Sequence, residues 1–280
     1  MLQNAPSRAG RIGYALLFVV ALLSACNDRE NPNPEPAAGP RLKKLAYTQN
    51  DFQEFTYNAD GQLSRYRSQW NFVEGEDGEL KNFIVDFHYD NAKKLKELTF
   101  GTGGGPVKYV YEGDVLKKTE EYDHKGRLLI THHYTFGGNN RLTEVRDVVN
   151  DLDNQSQRQL KRTYEYDAKG NLTALREYYL NVGTEAFVQT EVTTFEGYDD
   201  KKNPEGQLDV YPYLPHLRLR VNNPAKKTRT ATTDGNRVTW IEAYTYEYNA
   251  EGYPSKKVTK ITVPNADPVP PRTGTYEYQQ

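Results

Sequence analysis

One short phrase recurs along this chain: an aromatic residue, any residue, a second aromatic, a polar turn, then a leucine. Phe55-Thr56-Tyr57-Asn58-Ala59-Asp60-Gly61-Gln62-Leu63 is the first complete copy, and Tyr164-Glu165-Tyr166-Asp167-Ala168-Lys169-Gly170-Asn171-Leu172 is the cleanest. Tyr122-Asp123-His124-Lys125-Gly126-Arg127-Leu128 and Tyr246-Glu247-Tyr248-Asn249-Ala250-Glu251-Gly252-Tyr253-Pro254 follow the same rule, the latter with Pro in place of Leu. Worn copies start at Phe87, Tyr109 and Tyr134, and the sequence ends on Tyr276-Glu277-Tyr278 followed by two glutamines.

The phrase predicts a β-hairpin. Aromatics two residues apart fall on one face of a strand. Asp or Asn at the first turn position hydrogen-bonds the backbone ahead of it, and Gly three residues later tolerates a positive φ. That combination closes a hairpin through a type I turn and a glycine bulge, after which the leucine returns to the buried face. Further turn signals lie between the copies at 75–78, 103–105, 151–154, 181–183 and 234–235. Strand-like runs cover most of 42–200 and 225–280, and no sustained helical period of apolar residues appears. The expected fold is therefore all-β: a large antiparallel meander of hairpin repeats, curled or barrel-like, as one domain over 42–280. A meander of roughly sixteen strands exceeds the ~10 that an open twisted sheet usually tolerates, so it must curl or close.

A barrel that wide has a lumen unless something fills it. The hairpin rhythm fails at 206–224, where Tyr211-Pro212-Tyr213-Leu214-Pro215-His216-Leu217 is apolar and its prolines forbid a central strand. This segment is expected to be a plug or a lid. A membrane-spanning barrel is not expected. Residues 157–166 alternate Gln, Gln, Lys, Thr, Glu against Arg, Leu, Arg, Tyr, Tyr, and neither set makes a lipid-facing apolar band.

The N-terminus reads as an address. Arg8 and Arg11 precede an apolar run from Ile12 to Leu23, too short for the ~20 residues of a spanning helix. The run ends in Leu23-Ser24-Ala25-Cys26, which resembles the lipobox of bacterial lipoprotein signal peptides. The resemblance implies that residues 1–25 are cleaved as a signal peptide and that Cys26, the sole cysteine, carries the lipid. Triple acylation would then anchor the protein firmly without spanning the membrane. Residues 26–41 include Asn31-Pro32-Asn33-Pro34-Glu35-Pro36 and read as a Pro-rich tether, able to hold the domain roughly 40 Å from the bilayer. Asn27 rather than Asp after the cysteine points to the outer membrane, on a face the sequence leaves undetermined.

The repeats resemble tyrosine-aspartate (YD) repeats, found in rearrangement-hotspot toxins and in Bacteroidetes-type secreted and envelope lipoproteins. Tyr198-Asp199-Asp200-Lys201-Lys202-Asn203-Pro204 and Gly252-Tyr253-Pro254 look most like the lipoprotein families. The resemblance runs from about residue 50 to the C-terminus and implies a large curled, barrel-like sheet. Its motifs are turn chemistry and transfer no catalytic residue.

Composition narrows the function. With 36 basic and 38 acidic residues, no one-sign field recruits nucleic acid. One cysteine excludes an intrachain disulfide and a thiolate zinc cluster. The 22 tyrosines are the main temptation toward a binding surface. Tyr244, Tyr246 and Tyr248 alternate onto one face with Trp240 and Val238, and Tyr178 shares a face with Arg176. Tyr178, Tyr211, Tyr213, Trp240 and Tyr244 are the candidate ligand contacts, for a glycan or an envelope protein. The competing reading is that these rings stack across strands as core.

His132 and His133 are adjacent, so they point to opposite faces and cannot share one metal ion. Asp151-x-Asp153 opens like a calcium loop but has Ser156 and Arg162 where Gly and Glu belong. Gly101-Thr102-Gly103-Gly104-Gly105-Pro106 lacks the Lys and following helix of a phosphate loop. No nucleophile-elbow or zinc-protease motif occurs, and no metal or cofactor is expected. The expected function is a non-catalytic, envelope-anchored binding or interaction module. Two other readings stand beside it: a polysaccharide-acting enzyme with carboxylates on the concave sheet face, and a structural subunit of an envelope complex.

Overall fold

A computed structural model describes residues 39–71, 79–101 and 103–279; Cys26, the signal segment, the turn at 75–78 and all but the last residues of the tether lie outside them. The first eight strands are β1 (Arg41–Ala46), β2 (Phe52–Tyr57), β3 (Leu63–Asn71), β4 (Leu80–Tyr89), β5 (Leu95–Phe100), β6 (Val107–Glu112), β7 (Val115–Tyr122) and β8 (Leu128–Phe136). The rest are β9 (Leu142–Asp151), β10 (Ser156–Tyr166), β11 (Leu172–Asn181), β12 (Ala186–Glu196), β13 (Lys226–Ala231), β14 (Arg237–Tyr248), β15 (Pro254–Thr262) and β16 (Arg272–Gln279). Each strand pairs antiparallel with its neighbours in sequence, and β1 pairs with β16, Leu45 opposite Tyr276. The meander thus closes into a sixteen-strand up-and-down barrel, which removes every sheet edge.

The turn chemistry is as the repeat predicts. In the hairpins led by Asn58, Asp90, Asp123, Asp167 and Asn249, the backbone N–H of the leading residue donates to the carbonyl four residues on. Its side-chain Oδ1 accepts the N–H of that same fourth residue, at 2.8 to 2.9 Å. The third residue after it has a positive φ, +79° at Gly61 and +93° at Gly170, where a β-carbon is disfavoured.

The second aromatic of the phrase has a job that no single hairpin reveals. The hydroxyl of Tyr57 donates to the Leu42 carbonyl, Tyr89 to Leu63, Tyr111 to Leu95, Tyr166 to Leu142 and Tyr198 to Leu172, all at 2.6 to 3.0 Å. Tyr278 donates likewise to the Pro254 carbonyl at 2.6 Å. Each of these tyrosines, at or near the end of one strand, reaches back to the first or second residue of the preceding strand. At the same rim Phe136 has no hydroxyl, and Tyr248 turns instead to the Asp199 carboxylate. A cation lies over several of these rings: Arg41 on Tyr57, Lys94 on Tyr111 and Arg141 on Tyr166. The Tyr122 copy obeys the turn rule but belongs to the opposite rim, and its hydroxyl bonds Glu120 on its own strand.

The alternation puts the leucines and valines of the repeat inward and exposed charge outward. Leu42, Leu63, Val85, Leu98, Val107, Leu142 and Val145 are buried inside, each removed from water at a gain of about 1.5–3 kcal/mol. Outside, Arg65 grips Asp86 at 2.6 and 3.0 Å, and Arg176 grips Glu165 at 2.6 and 3.4 Å. Lys256–Glu247 and Lys44–Glu54 continue this polar wall. On β10 the outward set is Gln157, Gln159, Lys161, Thr163 and Glu165. A hydrocarbon-facing barrel has the reverse polarity.

Residues 197–225, between β12 and β13, enter the barrel from the tyrosine rim. Val210, Leu214 and Leu219 join the same core as the wall leucines. Leu172 N–H donates to the Leu219 carbonyl at 2.8 Å, and the Tyr109 hydroxyl to the Tyr213 carbonyl. Asn171, fully buried, accepts the N–H groups of Val221 and Asn222 at 3.0 and 2.8 Å. The segment is therefore a plug with its backbone stitched to the wall. One detail departs from the simple alternation: the bulge at Arg229/Thr230 shifts register opposite Val238–Trp240 and takes Val238 off the face Trp240 shares with Tyr244.

The rim tyrosines are testable by removing one oxygen. Tyr166→Phe leaves the Leu142 carbonyl without its partner and should cost about 1 kcal/mol. In thermal denaturation this lowers the midpoint by roughly 2–4 °C. Tyr178→Phe, on the outer wall, should leave it unchanged; equal losses at both sites would show that the rim bonds carry no special weight.

Candidate functional site

The five aromatic residues singled out in the sequence do not converge. Tyr178 lies on the outer wall, where Lys161 sits 4.7 Å over its ring. Tyr211 and Tyr213 belong to the plug, their rings edge to face at 5.5 Å. Tyr211 forms the plug's exposed tip, and Tyr213 packs against Tyr66 and Phe87 of the wall. Trp240 and Tyr244 face inward on β14, and both donate to the Glu242 carboxylate, at 2.9 and 2.5 Å. Lys227 completes that carboxylate's shell at 3.0 Å. The tyrosine rings thus serve mainly as rim bonds and core.

A belt of inward-facing charge on β7 to β15 was not singled out in the sequence. His132 Nδ1 lies 2.8 Å from Asp147, its register partner, and Arg162 donates to both Asp147 oxygens at 3.2 and 3.0 Å. Burial pushes the Asp147 carboxyl up, but His132 and Arg162 more than offset this and hold it below the ordinary range. Burial likewise disfavours a charged His132, yet Asp147 and Glu121 raise its pKa overall. His132 Nε2 is buried without a hydrogen bond, 3.6 Å from Glu121. Arg162 also donates to the Tyr211 carbonyl at 3.3 Å, so this cluster holds the plug tip.

Further round the wall Glu177 stands directly opposite Glu191. Arg229 takes Glu191 bidentately at 2.8 and 3.1 Å. Burial, and then the Glu191 carboxylate beside it, pushes the Glu177 carboxyl above its ordinary value. The two carboxyls are register partners on adjacent strands, close enough for each to act on the other. Glu205 of the plug ends the belt, bonded by Lys257 at 3.1 and 3.0 Å and by Tyr276. Burial raises the Glu205 carboxyl, and Lys257, Arg220 and Tyr276 outweigh that and lower it. The signal for this belt was available: charged residues at inward positions of strands whose turns were already legible.

A cavity of about 930 Å³ opens at the tyrosine rim between the plug and the hairpins of β1 to β5. Its lining includes Arg41, Tyr57, Lys93, Lys94, Lys202, Gln207, His216, Arg218 and Arg220, with Asp60 and Asp114 as counter-charges. Lys93 pairs with Asp60 at 2.7 Å, Lys94 with Asp114 at 2.6 Å, and Arg220 with Asp209 of the plug. Desolvation pushes the His216 imidazole down to about 4, so it is neutral at pH 7. The volume lies within the range of small-molecule sites. No spacing in the sequence marks this cavity, because plug and rim meet only on closure. Among the described residues no cluster of three or more His, Cys, Asp or Glu is arranged to hold a metal ion.

No protein-family model matches the chain, and no curated protein does. Among solved structures it is similar to a porin-like protein from Bacteroides uniformis ATCC 8492, with TM-score 0.55 and 15% identity over 85% of this chain and 98% of that one. A porin-like protein from Bacteroides vulgatus ATCC 8482 matches at TM-score 0.48 and 12% identity, over 86% of this chain and 99% of that one. The TcdB2-TccC3-Cdc42 structure matches at TM-score 0.24 and 14% identity, over 81% of this chain and 12% of that one. The first of these establishes a shared barrel fold.

The Glu177–Glu191 pair makes a pH-dependent prediction. A carboxyl raised in the folded state stabilises fully below its unfolded pKa of ~4.3, and that contribution is lost as pH rises through the folded value. Glu177→Gln should therefore raise the thermal midpoint at pH 7 and show no gain at about pH 4. A lower midpoint at pH 7 would mean that ionised Glu177 is needed to hold Arg162 or Arg229.

Proposed function

We propose that this protein is a lipid-anchored envelope protein, attached through Cys26, whose plugged barrel is a non-catalytic binding module and not a pore. One observation carries the reading: the wall is charged outside, its inside is an apolar core crossed by a belt of mutually paired charges, and the lumen is occupied by a covalently continuous, hydrogen-bonded plug. Charge on the outer wall disfavours burial in hydrocarbon. Such a barrel needs a separate anchor to stay at a membrane, and the Leu-Ser-Ala-Cys sequence at 23–26 supplies one. The shared fold with a Bacteroides porin-like protein supports the envelope setting at the level of architecture. The cavity beside the plug is the place for a ligand, since it is a concave, water-accessible surface with polar groups converging on it.

The test is fractionation of cells making the wild-type chain or Cys26→Ser. Wild type should sediment with membranes through a high-salt wash, and the variant should move to the soluble fraction. Purified wild-type protein added to a planar bilayer should produce no ion conductance. Sedimentation of the variant would remove the lipid anchor, and steady single-channel currents would remove the closed-barrel reading.

A further inference from the structure

The belt inside the barrel and the cavity at its rim differ in one respect. In the belt, acid and base are interleaved: Arg162 has Asp147, Arg229 has Glu191, Lys227 has Glu242 and Lys257 has Glu205. In the cavity three cations, Arg41, Lys202 and Arg218, form no ion pair with any described residue. Lys202 lies 4.7 Å over the Tyr253 ring. Arg218 is exposed, lines the cavity and makes no hydrogen bond to a described residue; the protein around it pulls it below the usual arginine range by desolvation. Asp209 acts on it through space, but both oxygens of that carboxylate are taken by Arg220.

Arg41 is informative by comparison with its equivalents. Arg41, Lys94 and Arg141 each precede the repeat leucine and cover the next rim tyrosine. Lys94 also donates to the Gly113 carbonyl at 2.8 Å, and Arg141 to the Asp167 carbonyl at 3.5 Å. Arg41 donates to nothing described, and its Nε is buried without a partner. The glycine at the next turn leaves room for it: a β-carbon on Gly61 would sit 2.1 Å from the Arg41 guanidinium. Stacking on Tyr57 accounts for the face of Arg41 and leaves its N–H fork unused. Tyr57 is itself fixed by Leu42 and by Gln207 of the plug, at 2.8 Å each.

Unpaired charge inside a protein is costly, whereas a guanidinium fork facing a cavity matches the oxygens of a phosphate. We propose that the rim cavity binds the phosphomonoester group of an organic ligand, with Arg218 and Arg41 as its principal partners and Lys202 adding charge at the mouth. The volume of about 930 Å³ admits a body the size of one or two sugars behind the phosphate. This rests on the reading of the cavity as the ligand site and is independent of how the protein is anchored.

The experiment is isothermal titration and thermal denaturation of the full-length protein at constant ionic strength. The probes are glucose 1-phosphate, inorganic phosphate and glucose, with phosphatidic acid vesicles against phosphatidylcholine vesicles as a separate arm. Wild type should bind glucose 1-phosphate saturably and gain thermal stability from it, and glucose should do neither. Arg218→Gln should weaken binding at least about tenfold, the loss expected when a charged hydrogen-bonding pair is removed. Without ligand, that variant should melt no lower than wild type, because no described residue hydrogen-bonds or ion-pairs with that guanidinium. Arg41→Gln should weaken binding as well, and Arg218→Lys should retain part of it. Stronger response to phosphatidic acid vesicles than to glucose 1-phosphate identifies a lipid source of the same group. Absence of saturable binding to any phosphate probe overturns the proposal, as does wild-type affinity in Arg218→Gln. A ligand-free melt of Arg218→Gln well below wild type also overturns it, since it would make Arg218 structural. Any of these failures leaves the Cys26→Ser fractionation result unaffected.

Discussion

The hydrogen bond from a rim tyrosine to a backbone carbonyl of the preceding hairpin is what turns a row of hairpins into a barrel with a defined rim. A type I turn with a glycine bulge specifies one hairpin and says nothing about its neighbour. The tyrosine hydroxyl adds that missing information, because Tyr166 can reach the Leu142 carbonyl only if β9 and β10 are paired at the observed stagger. It also satisfies a carbonyl at a point where the ladder is interrupted: Leu142 lies opposite the Thr135/Phe136 shift and Leu63 opposite the Thr56/Tyr57 shift. Without it those carbonyls would be buried acceptors with no donor. The repeated tyrosine is thus a register device, and its ring doubles as core and as a platform for Arg41, Lys94 and Arg141.

Closing sixteen strands creates a second problem, which the plug answers. A barrel of that size leaves an open lumen, and apolar leucines lining open water would gain nothing from the closure. Val210, Leu214 and Leu219 supply the missing partner surface. A plug running inside a sheet carries backbone groups that no ladder satisfies, so side chains must do so. Asn171 serves Val221 and Asn222, Asp199 accepts the Asn223 N–H, and Arg162 serves Tyr211. Two of these three come from turn or strand positions of the repeat, and Asp199 lies just past the Tyr198 copy. The insertion and the repeat are consequently adapted to each other.

Local chemistry was legible in the sequence and long-range juxtaposition was not. The turns led by Asn58 and Asp167 are determined within five residues, and the all-β closed sheet follows from counting them. The Tyr122 copy shows where local reading stops. Its turn is as well formed as the others, with Arg127 N–H on Asp123 at 2.8 Å, yet it sits on the opposite rim. A short Gly113-Asp114 turn has already reversed the chain once, and which rim a turn occupies depends on the parity of all strands before it. His132 opposite Asp147 and Glu177 opposite Glu191 were within reach of register counting, since each pair spans one hairpin. Arg218 was not, because nothing in an irregular apolar segment tells which wall it will face.

That contrast bears on how function should be sought in a fold built of repeats. Repetition accounts for most of the conspicuous chemistry: tyrosines, asparagines, glycines and even the arginines that stack on rings recur because the scaffold uses them. Composition therefore exaggerates the scaffold and hides the site. A better discriminator is departure from the repeat's own bonding pattern. Arg141 and Arg41 occupy equivalent positions, but Arg141 finds a carbonyl on the neighbouring hairpin, whereas Arg41 has no hydrogen-bond partner among the described residues. Stability alone does not account for such a group, since a buried N–H without a partner opposes folding. On the reading proposed above, its presence where the plug leaves a cavity puts ligand binding at the rim where the repeat and its interruption meet.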